Sequence, residues 1–219
     1  MKSLFAAALA LFGLASASPA LSAEPATVRV RLETSQGPIL IALDAAHAPR
    51  TVANFLAYVD DGRLDGTEFY RASRNKSDPK AGFVQGGIGT ETRRKLPTVP
   101  FESTSQTGLR HVDGAISMAR GDDPDLASCN FSLLVGPHPW LDANGTNPGY
   151  AVFGKVVGGE TTLKRILAMP TGGGTGVMRG QMLVKPVTII RAVRVDGTAK
   201  PTGLPKTWLI PLPKPRAPK

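Results

Sequence analysis

Cysteine is almost absent from this chain: its 219 residues contain one, Cys129. An intramolecular disulfide is therefore excluded, and the fold must hold by packing alone. A lone thiol is by default a small buried hydrophobe, and the sequence offers it no obvious partner base. Histidine is scarce too. His47, His111 and His138 lie far apart, and no Cys/His pair has zinc-ligand spacing, so no metal is expected. There is no Gly-x-Ser-x-Gly elbow, which argues against a serine hydrolase of that type. Aromatic residues make up only 6% of the chain. No basic helix interleaved with aromatics exists, so the net charge of +9 and pI of about 10.0 predict attraction to anionic surfaces but no nucleic-acid reader. Past the N-terminus no apolar run is long enough to cross a bilayer, so no stable membrane insertion is expected.

What is present begins with a processing signal. Lys2 supplies a positive start, Leu4 to Leu14 an apolar stretch, and small residues follow up to Ala23. This is the layout of a secretory signal peptide. Residues 1–23 are read as that signal, with cleavage after Ala23 preferred over the Ala15-Ser16-Ala17 triplet. The mature protein is expected in the periplasm or secreted.

Thr27 to Glu33 alternates β-branched and polar residues, and Ile39 to Leu43 follows a Ser35-Gln36-Gly37-Pro38 turn. The pair reads as a hairpin. Pro49 opens a helix carrying Val52, Phe55, Leu56 and Val59 on one face, ending near Gly62. Short strands are expected at Glu68–Arg71, Phe83–Gly86, Ala115–Ala119, Phe131–Val135 and Tyr150–Val157, a second helix at Thr161 to Met169, and a closing strand at Pro186 to Val195. Strands between and around two helices predict a barrel or sandwich rather than a repeating βαβ fold. Gly149 to Lys155 imitates a phosphate loop, but Val156 replaces the required Ser or Thr and the intervening Tyr-Ala-Val-Phe reads as strand. Gly172 to Gly176 reads as a loop. The tail 198–219 has six prolines and five basic residues, a composition that favours extended, poorly ordered chain. Trp208-Leu209-Ile210 stands out within it as a segment that could dock on the domain.

Five stretches, in order, resemble the cyclophilin family of prolyl isomerases: Phe69-Tyr70-Arg71; Gly82-Phe83-Val84-Gln85-Gly86-Gly87; Gly114 through Ser117-Met118-Ala119-Arg120; Ser128-Cys129-Asn130-Phe131-Ser132; and Trp140-Leu141-Asp142 followed by Tyr150 to Val156. The resemblance covers about Val28 to Val195. It implies a mainly β fold, a closed antiparallel eight-stranded barrel capped by two helices, spanning 24–197. It implies cis/trans isomerisation of X–Pro bonds in proline-containing polypeptides, by a monomer without a cofactor. Rotation about an X–Pro bond breaks amide resonance but no covalent bond, so neither nucleophile nor metal is required. Arg71 would be catalytic. Phe83, Met118 and Leu141 would line the proline pocket, with Trp140 at its rim. Gln85 would hold the substrate backbone or orient Arg71. Ala119, Arg120 and Asn130 would border the groove for the residue before proline. Tyr150 stands where many members have His.

Two departures are visible. Ser132 stands where the family has a pocket-floor Phe. Alternation puts it on the face opposite Phe131, Leu133 and Val135, which makes the floor wider or wetter. The Ala72 to Gly82 loop is long and carries Arg74, Lys76 and Lys80. It reads as a surface insertion, which loops tolerate cheaply. Competing readings of the chain are a proline-peptide binding or chaperone module with little turnover, and an envelope-associated protein acting through charge. Export is directly testable. N-terminal sequencing of protein recovered from the envelope or medium should begin near Glu24; an intact Met1 on that pool would refute the signal.

Overall fold

In the computed structural model, which describes residues 25–127 and 129–211, strict alternation builds the first hairpin. β1 (Thr27–Thr34) turns Val28, Val30 and Leu32 inward, and β2 (Gly37–Asp44) turns Ile39, Ile41 and Leu43 inward. Six more strands complete the wall: β3 (Thr67–Arg74), β4 (Gly82–Gly87), β5 (Ala115–Met118), β6 (Asn130–Val135), β7 (Val152–Gly158) and, after a two-residue β8 (Thr171–Gly172), the long β9 (Met182–Arg194). Their order is β1-β2-β7-β5-β6-β4-β3-β9, and β9 pairs back to β1. All pairings are antiparallel. Eight strands thus close on themselves, as expected, with β8 attached to the outside of β9.

Two helices cap the barrel. α1 (Pro49–Asp60) presents Val52, Phe55, Leu56 and Val59 to the interior. Its N-cap, Ala48, has no side chain able to accept from the first turn. Glu102 from a distant loop supplies that acceptor: its carboxylate takes bonds from the Arg50 and Thr51 amides at 3.1 and 2.8 Å and from the Thr51 hydroxyl at 2.6 Å. A negative group there also meets the positive end of the helix dipole. The second capping helix, α3 (Glu160–Leu167), buries Leu163, Ile166 and Leu167. Between them a four-residue α2 (Thr104–Thr107) adds to the two helices expected. Inside the barrel, Phe131 meets Phe55 and Phe69 edge-on at 5.2 and 5.7 Å, and Phe55 meets Phe153 at 5.3 Å. No helix among the described residues is long and apolar enough to cross a membrane.

β9 begins four residues before the sequence pattern suggests. The early start comes from Met182, which pairs with Arg71 on one side and with Gly172 on the other, and from Leu183, which pairs with Thr171. Pro186, which has no amide hydrogen for a ladder, sits in the irregular stretch between Met182 and Val187. The basic loop after β3 is anchored at its start. Arg74 donates to the Leu167 and Met169 carbonyls at 2.8 and 2.9 Å, covering the end of α3. The tail also differs from expectation. Residues 198–211 hold no strand or α-helix and make a single 3-10 turn at Thr207–Leu209, yet the Lys200 and Thr202 amides donate to the Asp60 and Asp61 carboxylates at 2.9 and 2.7 Å. The signal segment 1–23 and residues 212–219 lie outside the described residues.

A polar array supports the outer face of β5. Asp142 accepts from His111 Nδ1 at 2.6 Å, and His111 Nε2 lies 2.9 Å from the Ser117 hydroxyl. An ionised carboxylate only accepts, so the His111 proton sits on Nδ1 and Nε2 accepts from Ser117. Ser117 is 4% exposed, which makes it a support rather than a nucleophile. Burial, helped by the charge of His138, pushes the His111 pKa down against the pull of Asp142; burial also lowers His138, opposed by the Gly136 carbonyl and Asp113. A histidine with a depressed folded pKa stabilises the fold fully above its unfolded pKa of about 6.5, and that contribution is lost as pH falls below it. Urea unfolding should therefore show stability decreasing from pH 7.5 to 5.5. His111→Ala should lower stability by about 1–3 kcal/mol by stranding Ser117 and Asp142, and should flatten the pH dependence. An unchanged pH slope would refute this account.

Candidate active site

A single irregularity aims Arg71. Phe69 faces the core, and two residues on, strict alternation would send Arg71 inward as well. The β3–β4 register shifts between them: Phe69 opposes Gly86 and Arg71 opposes Gln85. Tyr70 is the extra residue of a β-bulge, and bulges re-aim side chains. Ala72 then returns to the core at 1% exposure, while Tyr70 and Arg71 both lie outside.

The Arg71 guanidinium is held at three of its corners. Nη1 donates to Gln85 Oε1 at 2.8 Å. Nε and Nη2 donate to Gln181 Oε1 at 3.0 and 2.8 Å, and Nη2 also lies 3.5 Å from the Val177 carbonyl. Of the five N–H groups an arginine carries, one hydrogen on Nη1 is left without a partner among the described residues. The Phe83 ring lies under the guanidinium, 5.0 Å from its carbon. Burial lowers the Arg71 pKa, with Tyr70 and Tyr150 acting the other way. An arginine starts so high that the group remains cationic. Burial raises the neighbouring Tyr70 to about 12, so that phenol stays neutral.

Beside the arginine lies an apolar seat on the outside of the barrel. Buried Ala115, Leu134 and Val152 form its base, and Phe83, Leu109 and Leu141 pack against them. Ser132 faces this side, between Gln85 and Ser117 in register. The alternation expected of Phe131, Leu133 and Val135 is the one observed. Trp140 is 55% exposed and stacks on His138 at 4.8 Å, with His138 in turn 6.4 Å from Phe83.

On the other side of Gln85 opens a cavity of about 930 Å³, lined by Tyr70, Gln85, Ala119, Arg120, Asn130 and the turn 91–95 among others. Arg120 stacks on Tyr150 at 4.7 Å and donates to the Gly149 carbonyl at 2.8 Å. Asn130 is engaged by the backbone: Gly89 N donates to its Oδ1 at 2.9 Å, and its Nδ2 donates to Gly89 O at 3.2 Å.

Most of the expected site residues therefore share one surface: Phe83, Leu141 and Ser132 at the seat, Arg71 and Gln85 at the junction, Ala119, Arg120 and Asn130 along the cavity, and Tyr150 against Arg120. Met118 requires correction. It is 4% exposed and belongs to the barrel core with Ile116 and Phe131, because two-residue alternation along β5 sends Ile116 and Met118 inward while Ala115 and Ser117 face out. Gln181, which binds Arg71 twice, escaped the sequence reading. It follows a Gly-rich loop and only tertiary folding brings it to β3, where its carbonyl accepts from the Ala72 amide at 3.0 Å.

Comparison with known proteins agrees with this architecture. The family model "Cyclophilin type peptidyl-prolyl cis-trans isomerase/CLD" matches residues 29–194. The chain is 37% identical to "Peptidyl-prolyl cis-trans isomerase A" of Dickeya dadantii over 172 residues, covering 78% of this chain and 86% of the relative. It is 33% identical to a "Peptidyl-prolyl cis-trans isomerase" of Acinetobacter baylyi over 194 residues, covering 88% and 97%. In fold it resembles a cyclophilin type peptidyl-prolyl cis-trans isomerase of Cryptosporidium parvum, with a TM-score of 0.63 at 21% identity, over 78% of this chain and 99% of that one. A closed eight-stranded barrel, an arginine turned outward beside an apolar seat, and relatives of this kind along most of its length place the chain in the cyclophilin-type peptidyl-prolyl cis-trans isomerase family.

Proposed function

We propose that the protein catalyses X–Pro isomerisation on exported polypeptides, with Arg71 stabilising the twisted peptide bond. The observation that carries this reading is the pinned guanidinium with one free Nη1 hydrogen. In the ground state the prolyl nitrogen shares its lone pair with the carbonyl. In the twisted state, about 18–20 kcal/mol higher when uncatalysed, that lone pair returns and can accept a hydrogen bond. A donor that meets it only then lowers the barrier without tightening ground-state binding. Gln85 and Gln181 fix the donor's direction, so little reorganisation accompanies the reaction.

The proline ring would rest on Phe83 and Leu141, partly exposed residues of the seat, and Trp140 would flank the entrance. Residues before the proline would run along Ala119, Arg120 and Asn130 into the cavity, with Tyr150 offering its hydroxyl to a substrate carbonyl. No step calls for a cofactor. The signal-like N-terminus supports a periplasmic or secreted setting in which nascent exported chains are the clients. A second reading, a proline-binding module with weak turnover, draws on Ser132 in the seat and on Asn130 being tied to Gly89.

An assay of cis/trans exchange on a short X–Pro peptide separates the two. The wild-type mature protein should accelerate exchange. Arg71→Ala should lose roughly 30- to 1000-fold in kcat/KM, the equivalent of about 2–4 kcal/mol for a transition-state donor, with peptide affinity nearly unchanged. Near-normal turnover of a folded Arg71→Ala protein would refute the mechanism.

Ser132 yields a separate expectation. Its hydroxyl leaves the seat with less apolar contact for a proline ring, at about 25 cal/mol per Å². Ser132→Phe should retain the fold and tighten binding of short X–Pro peptides by on the order of 1 kcal/mol, about fivefold in Kd. Isothermal titration with such a peptide reads this directly; weaker binding by a normally folded variant would show that the seat is already filled.

A further inference from the structure

Residues 198–211 follow the last barrel strand and lie beyond the 29–194 span matched by the family model, yet they are built into the molecule. Two carboxylates at the end of α1 receive the segment's start. Asp60 accepts from the Lys200 amide at 2.9 Å, and Asp61 accepts from the Thr202 amide and hydroxyl at 2.7 and 2.6 Å. Further on, Trp208 lies against two guanidinium groups, with its ring 4.6 Å from that of Arg63 and 5.4 Å from that of Arg94.

Arg63 is 2% exposed, paired with Asp61 at 2.7 Å, and it donates to the Arg94 carbonyl at 3.2 Å and to the Pro205 carbonyl at 3.4 Å. The segment also grips the residue before Arg94. The Thr207 hydroxyl donates to the Arg93 carbonyl at 3.1 Å, and Arg93 Nη1 donates to the Ile210 carbonyl at 3.1 Å. The 3-10 turn Thr92–Arg94 is thus clasped from behind by the tail.

The front of that same turn is a cavity wall. Glu91, Thr92, Arg94 and Lys95 line the cavity that opens beside Gln85, opposite Ala119 and Asn130. Three of these four are themselves charged, and the turn is a single 3-10 turn of three residues, with no sheet ladder to hold it. Its bonds to the barrel run chiefly through Arg94, which donates to the Arg63 and Asp65 carbonyls at 2.8 and 2.9 Å. Arg63 returns a bond to the Arg94 carbonyl, Glu91 and Arg93 pair within the turn, and the Leu96 amide just after it donates to the Tyr58 hydroxyl at 2.7 Å. The tail adds the contacts to Arg93 and the ring over Arg94.

We propose that residues 198–211 act as a strap that sets the far wall of the cavity beside Arg71, with Trp208 a positioning residue for selection among the residues that precede proline. The inference rests on the reading above that those residues enter this cavity. Trp208 touches neither Arg71 nor the apolar seat. Its effect should therefore appear in KM for substrates long enough to reach the turn, and not in the turnover of minimal ones.

The test compares two peptides, acetyl-Ala-Pro-Phe amide and acetyl-Phe-Ala-Pro-Phe amide, which differ by one large residue before the X–Pro pair. Exchange kinetics are measured by NMR on the full mature chain. Wild type should prefer the longer peptide. Trp208→Ala should lose roughly 3- to 10-fold in kcat/KM on the longer peptide, through KM, the range expected for loss of two cation–π contacts, and should leave the shorter peptide unchanged. Trp208→Phe, which keeps a ring between the two guanidiniums, should restore most of the preference. Should Trp208→Ala fail to fold, Thr207→Val removes only the bond to Arg93 and should shift the same ratio in the same direction. If wild type handles both peptides alike, the placement of the preceding residues in the cavity is wrong and the strap falls with it. If wild type discriminates but the variants change both peptides equally, or change only thermal stability, the strap alone is refuted and the cavity reading stands.

Discussion

One extra residue in β3 governs the outer surface of this barrel. Phe69 and Ala72 both point into the core, an odd spacing that a regular strand cannot provide. The bulge at Tyr70 resolves it, and the resolution puts two consecutive side chains on the outside. Tyr70 turns to the cavity and Arg71 to the junction between cavity and apolar seat. A regular register would bury the guanidinium among Phe69, Phe131 and Phe55, where an unpaired charge is prohibitively costly. The bulge is also matched across the other edge of β3, where Met182 and Val187 take up the slack. That slack delivers Gln181 to Arg71. One local irregularity therefore supplies both the direction of the arginine and one of its two anchors.

The surrounding construction sets a buried polar array beside a partly open apolar seat. Behind the seat, Asp142, His111 and Ser117 satisfy each other in a line ending beneath Ser132. In front, Phe83 and Leu141 expose apolar surface to solvent. Such a division suits a ligand that is itself a compact apolar ring attached to a polar backbone, since the ring needs area while the backbone needs fixed donors and acceptors.

Much of this was legible in the sequence, and the reasons are specific. β1, β2 and α1 follow simple periodicities, so period 2 and period 3.6 place their inward residues correctly. Ser132 was placed outward by the same alternation applied to Phe131, Leu133 and Val135. The family resemblance located Arg71, Phe83 and Gln85 by motif. What stayed hidden needed three dimensions. Alternation cannot announce its own exception, so the bulge at Tyr70 was invisible. Gln181 follows a Gly-rich loop whose path is set by Gly173, Gly174, Gly176 and Gly180 at positive φ, a freedom that sequence leaves open. Met118 lies beside motif residues that line the groove, but its own parity on β5 points it inward. The tail was read by composition, and composition does not reveal that Asp60 and Asp61 wait at the end of α1 to receive backbone amides.

Closure of the barrel has a further consequence for a member of a family that isomerises X–Pro bonds in polypeptides. Open sheets end in rows of unpaired amides and carbonyls, and an extended polypeptide can add itself there as another strand. In this molecule β9 pairs with β1, and among the described residues the sheet is left with only the two-residue β8 as a free margin. A β-prone polypeptide thus meets, among the described residues, no long free edge to which it could add a strand.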